Sequence, residues 1–196
     1  KQLKHWLDPD DQQPSYMDGY DPYENFWESG DTLTNILTAE SLELEKGNLL
    51  WGSLSGHNAD NLNKFAEKFP NNETNNILGV ILHVASNYVA SAQAKMIVAI
   101  WNGSEVPADP VYEKEIALAD LAENEQNFIE FDSVITASDT FFAGYTLFYN
   151  LPQDTFSTYM AGNRTFQPVN TAYVSNNGLW LPVDQYTGGM VNTSFG

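Results

Sequence analysis

The sequence predicts an all-β protein, an antiparallel β-sandwich with one short helix near residues 60–69, and three observations lead there. Aromatic residues make up 13% of the 196-residue chain, and their rings suit a pleated, half-buried surface better than a helix face. Apolar stretches of strand length recur between turn-rich connections. Only one stretch carries a clear helical period, so alternating strand–helix units over a parallel sheet are not indicated.

The elements follow in order. Residues 1–31 are acidic and turn-like, yet Trp6, Tyr16, Tyr20, Tyr23, Phe26 and Trp27 interleave with the carboxylates. A pure linker would not carry so many rings, so this segment reads as an N-terminal extension or linker packing on the domain, with the sandwich itself over 32–196. Asp60 is placed to cap a two-turn helix, because Leu62, Phe65, Ala66 and Phe69 recur at helical spacing and Pro70 stops the run. Strands are predicted over 77–84 and 95–101, joined by a hairpin connection at 86–93. Residues 113–125 read as strand followed by turn, and further strands are expected over 127–131, 140–149 and 155–160.

Charge is the largest departure from an average chain: 26 Asp and Glu stand against 8 Lys and Arg, a formal net charge of −18. Such a surface repels phosphate backbones and anionic lipid, which argues against nucleic-acid binding and leaves cations, neutral glycans or basic proteins as partners. With no cysteine there is neither a disulfide nor a thiolate metal site. No apolar run reaches transmembrane length.

Catalytic signatures are missing. The three histidines, His5, His57 and His83, form no HExxH pair, and neither a GxSxG elbow nor a phosphate-cradling glycine loop occurs. Glu130 and Asp132 flank Phe131 at strand spacing, which puts both carboxylates on one face and makes them the candidates for an alternative function as a carboxylate-dependent glycoside hydrolase or other hydrolase. A solvent-facing strand edge explains them more simply. Asp18, Asp21 and Glu24 supply the clustered oxygens that calcium would need as a cofactor, and the turn from Gly56 to Asn61 is also rich in oxygen ligands. Trp27, Trp51, Trp101 and Trp180 are the candidate ligand-binding rings, since a flat indole covers the apolar face of a sugar while nearby Asp or Asn side chains bond its hydroxyls. Trp101 ends an apolar strand just before the turn Asn102-Gly103-Ser104.

Taken in order, Gly56-His57-Asn58, Lys64-Phe65-Ala66-Glu67-Lys68-Phe69, Ile77-Leu78-Gly79-Val80, Ile97-Val98-Ala99-Ile100-Trp101, Ile129-Glu130-Phe131-Asp132, Phe141-Phe142-Ala143-Gly144-Tyr145 and Asp154-Thr155-Phe156 resemble the jelly-roll domains of secreted and surface proteins of Bacteroidetes. In outline the chain is also similar to the calcium-binding cleaved adhesin domains of gingipain-type proteins. The resemblance implies a jelly roll of galactose-binding-like form and a non-catalytic binding or structural role, displayed by a larger secreted protein or lipoprotein outside the cytoplasm. Glycan or protein would be its partner, and it would act as a monomer within a multidomain parent. Asp31-Thr32-Leu33 and Asp132-Ser133-Val134 resemble the O-glycosylation acceptor pattern of that phylum.

Overall fold

Met96, Val98 and Ile100 are fully buried in one core while Ala99 and Trp101 belong to a separate buried cluster, so this strand presents a dry face on each side. The same alternation, repeated along the chain, builds the molecule. The computed structural model describes residues 32–44, 51–70, 74–149, 153–164 and 169–196. The chain divides into a first unit, Lys1–Thr34, and a second, Asn35–Gly196. Residues 32–34 of the first have no regular secondary structure. Every element named below belongs to the second.

The strands are β1 (Leu42–Glu43), β2 (Lys64–Phe69), β3 (Asn75–Tyr88), β4 (Lys95–Asn102), β5 (Pro110–Ala117), β6 (Gln126–Ala137), β7 (Phe141–Leu147), β8 (Thr155–Thr158), β9 (Met160–Ala161), β10 (Ala172–Asn176) and β11 (Leu179–Pro182). A one-turn helix, α1 (Val183–Tyr186), follows β11, and a 3-10 turn, Leu118–Asp120, follows β5. A six-stranded sheet has the order β11-β10-β2-β7-β4-β5 and a three-stranded sheet the order β6-β3-β8, with β1 and β9 paired separately. All pairings are antiparallel.

Within this order β4 pairs with β5, β3 with β6 and β2 with β7, a nested set produced when one long antiparallel ribbon rolls up on itself. An isolated bridge between Gly56 and Ser157 adds the segment before β2 beside β8. This is the connectivity of a jelly roll. The two sheets close on a core of Phe65, Met96, Val98, Ile100, Tyr145 and Val174 from the larger sheet and Leu82, Val84, Ile129, Phe131 and Phe156 from the smaller.

Two expectations about local structure are corrected. Residues 64–69 form β2 rather than part of a helix: Phe65, Glu67 and Phe69 alternate with Ala66 and Lys68, and the strand pairs with both β7 and β10. Ladder bonds on two sides and burial of Phe65 and Ala66 on opposite faces outweigh a short helical period. Residues 86–93 are not a hairpin, because β3 runs on to Tyr88 beside β8, whereas β4 lies in the other sheet. The connection crosses between sheets, with Asp154 Oδ1 accepting the backbone N–H groups of Ala90 at 2.7 Å and Ser91 at 2.9 Å.

The register of β3 and β6 slips between Ile77 and Gly79, whose partners are Ile135 and Glu130. In that irregular stretch of β6, Asp132 reaches β5. Lys114 Nζ donates to Asp132 Oδ1 at 2.7 Å and to the Glu130 carbonyl at 2.8 Å, and the Asp132 N–H donates to the Tyr112 hydroxyl at 3.0 Å. Outer strands of the two sheets are thereby clasped. Elsewhere, buried Glu67 accepts from Asn35 Nδ2 at 2.6 Å, from the Ser194 hydroxyl and from the Phe195 N–H at 3.0 Å. Arg164 grips Glu40 with two bonds, 2.5 and 2.7 Å. Among the described residues no helix is long and apolar enough to cross a membrane.

Candidate functional site

The turn from Trp51 to Leu62 is held from within. Gly56 lies so close to β8 that an added Cβ would stand 1.9 Å from the Phe156 carbonyl oxygen, so only glycine fits. His57 N–H bonds that same carbonyl at 2.9 Å, and the Ala59 N–H closes the loop onto the Trp51 carbonyl at 2.6 Å. Buried Asn58 acts as the internal strut: its Nδ2 donates to the Gly56 carbonyl at 2.8 Å and its Oδ1 accepts the Leu62 N–H at 3.0 Å. The Tyr149 hydroxyl donates to the Leu62 carbonyl and accepts from Asn58 N–H at 3.3 Å. Burial pushes that hydroxyl up to about 12, so it stays a donor at neutral pH. With Asn58 engaged in this way, the Gly56–Asn61 stretch is a packing device rather than an oxygen cage.

Opposite this turn stands α1. Val183 is fully buried and anchors it, while Thr187 ties the helix end to the following turn by donating to the Val183 carbonyl at 2.8 Å and accepting the Val191 N–H at 3.1 Å. Tyr186 is thereby fixed facing the Trp51 turn.

Asp60 joins the two walls. Trp51 Nε1 donates to Asp60 Oδ2 at 3.0 Å, and the Tyr186 hydroxyl donates to the same oxygen at 2.7 Å. Those donors, Tyr186 first and Trp51 second, hold the Asp60 carboxyl below its ordinary value, so it is ionised at neutral pH. Tyr186 moves the other way, up to about 12, through burial and the adjacent carboxylate. Asp60 therefore serves as an acceptor between two rings rather than as the helix cap expected of it.

Around this trio opens a cleft of about 520 Å³, lined by Trp51, Leu54, Asp60, Asn176, Tyr186, Thr187, Met190 and Val191. It is a shallow depression, open to solvent on one side rather than an enclosed cavity. Leu54 is buried at its base, and Met190, 72% exposed, stands at its rim. Asn176 Oδ1 accepts from Asn177, and among the described residues its Nδ2 has no hydrogen-bond partner.

Of the tryptophans singled out from sequence, Trp51, Trp101 and Trp180 are among the described residues, and of these Trp51 alone lines this cleft. Trp101 is 3% exposed and packs edge-to-face on Trp180, centroids 5.7 Å apart, in a cluster with Ala66, Ala99, Phe142 and Tyr173 on the outer face of the six-stranded sheet. That leaves Trp101 little ring surface for a ligand. Trp180 is half-buried on the same cluster. Trp27 lies outside the described residues, as do Asp18, Asp21 and Glu24. Among the described residues no three His, Cys, Asp or Glu side chains converge to hold a metal. Glu130 and Asp132 are exposed on β6, away from the cleft lining, with Asp132 held low by its bond to Lys114. Ser133, beside them, is exposed too.

Sequence reasoning passed over Tyr186 and Asn176, and it named Asp60 only as a helix cap and as part of the oxygen-rich turn, not as the shared acceptor of Trp51 and Tyr186. Their only signal was proximity in the folded chain: Asp60 and Tyr186 are 126 residues apart. No family model, curated protein or solved structure matches this chain. Its class therefore rests on its own coordinates: a β-sandwich with an aromatic- and carboxylate-lined cleft at one side.

Proposed function

We propose that this chain is a non-catalytic binding module that recognises a glycan in the Trp51–Asp60–Tyr186 cleft, as part of a protein displayed outside the cytoplasm. One observation carries the reading: two aromatic side chains, an ionised acceptor and an amide line a single cleft. A saccharide needs an apolar surface under its ring and polar groups of both kinds at its hydroxyls. The placement outside the cytoplasm rests on the jelly-roll resemblance alone.

A glycan array, run with and without a calcium chelator, tests it. Trp51→Ala should weaken the strongest signal at least about tenfold, the scale of removing one central aromatic contact, with only a small fall in melting temperature. Undiminished binding by Trp51→Ala, or hydrolysis of any bound glycan, would sink the proposal.

A further inference from the structure

We infer that the ligand of this cleft is a saccharide bearing a protonated amine, such as a deacetylated amino-sugar oligomer; this deepens the glycan-binding reading and rests on it. The argument begins with charge. Asp60 is exposed, and both donors on its Oδ2, an indole N–H and a phenol O–H, are neutral, so its negative charge is oriented but not cancelled. Among the described lining residues none is basic. An anion standing between two aromatic rings favours a cation, because carboxylate and ring faces attract positive charge together. At −18 the chain as a whole adds a long-range field of the same sign.

Shape then separates the possible cations. A bare metal ion would need several more oxygens than Asp60 and its neighbours provide. A lysine side chain would satisfy the charge but occupy only a small part of about 520 Å³ and bring no ring face to the aromatic walls. An amino sugar places its ammonium at Asp60 Oδ1, a ring face against Trp51 or Tyr186, and a hydroxyl oxygen within reach of the Asn176 amide.

The test is calorimetric titration of the whole chain at about pH 6, where amines of this type are protonated, with chitosan tetramer, its fully N-acetylated counterpart and a tetralysine peptide. Chitosan tetramer should bind about tenfold or more tighter than the acetylated form, and this margin should shrink with added salt. Asp60→Asn should remove the margin, bringing the affinity for chitosan tetramer down to that for the acetylated sugar. Tyr186→Phe, which keeps the ring but takes one donor from the carboxylate, should leave the preference and move its loss on acidification to higher pH. Equal or tighter binding of the acetylated tetramer would overturn the inference and leave the glycan reading standing. Preference for tetralysine would overturn it in favour of a basic protein partner. If neither sugar binds, the inference and the glycan reading fall together.

Discussion

At the scale of single residues, a few side chains do work that their type alone does not disclose. Glu67 is wholly buried, and desolvation raises its carboxyl above the ordinary range despite the donors from Ser194, Phe195 and Asn35. The folded state therefore holds this proton more tightly than the unfolded chain does, so the stability linked to Glu67 is fully present below about pH 4.5 and is lost as pH rises through the raised value. Urea unfolding at several pH values should show that Glu67→Gln removes this decline, so that the difference between wild type and variant changes across that window; a pH-independent difference would mean that the site does not titrate. Trp101 gives a second case. As a member of a buried cluster, its replacement by alanine should cost about 3–5 kcal/mol, read as a large fall in urea midpoint, with ligand binding by the folded fraction unchanged.

At the scale of elements, the strands of the β-sandwich were legible where alternation was clean. Met96, Val98 and Ile100 announce β4, and the ring-rich stretch from Phe141 to Leu147 announces β7. The period misleads at β2, where Leu62, Phe65, Ala66 and Phe69 fit a helical repeat although Leu62 precedes the strand and Phe65 and Ala66 are buried on opposite faces of it; pairing with β7 and β10 decides. The hairpin of β10 and β11 had an unused signal: Asn177 and Gly178 both take left-handed conformations, φ 52° and 82°, the turn that an Asn-Gly pair favours. An added Cβ at Gly178 would meet nothing within 4 Å, so Gly178→Ala isolates the backbone cost. It should destabilise by about 1–2 kcal/mol in chemical denaturation, and Gly178→Asn by less. The cleft was less legible than either sheet. Trp51 could be nominated by its ring, but Asp60 and Tyr186 become neighbours only because α1 follows the hairpin that extends the sheet beyond β2.

At the scale of the whole molecule, the formal charge of −18 works against compactness, since like charges brought together repel. Added salt screens that repulsion. The melting temperature should therefore rise as sodium chloride increases from low to moderate concentration, and a fall would mean that exposed favourable pairs such as Lys95 with Glu115 and Lys114 with Asp132 outweigh the general repulsion.

The clasp of Lys114, Tyr112 and Asp132 has a further effect. Strands at the margin of a sheet carry unpaired amides that can recruit a stranger's backbone and start fibrils. Here β5 and the irregular stretch of β6 hold each other through side chains, and Glu113 and Glu115 stand exposed alongside. That flank offers an approaching chain bent, charged and occupied backbone, which should keep the protein dispersed at high local density.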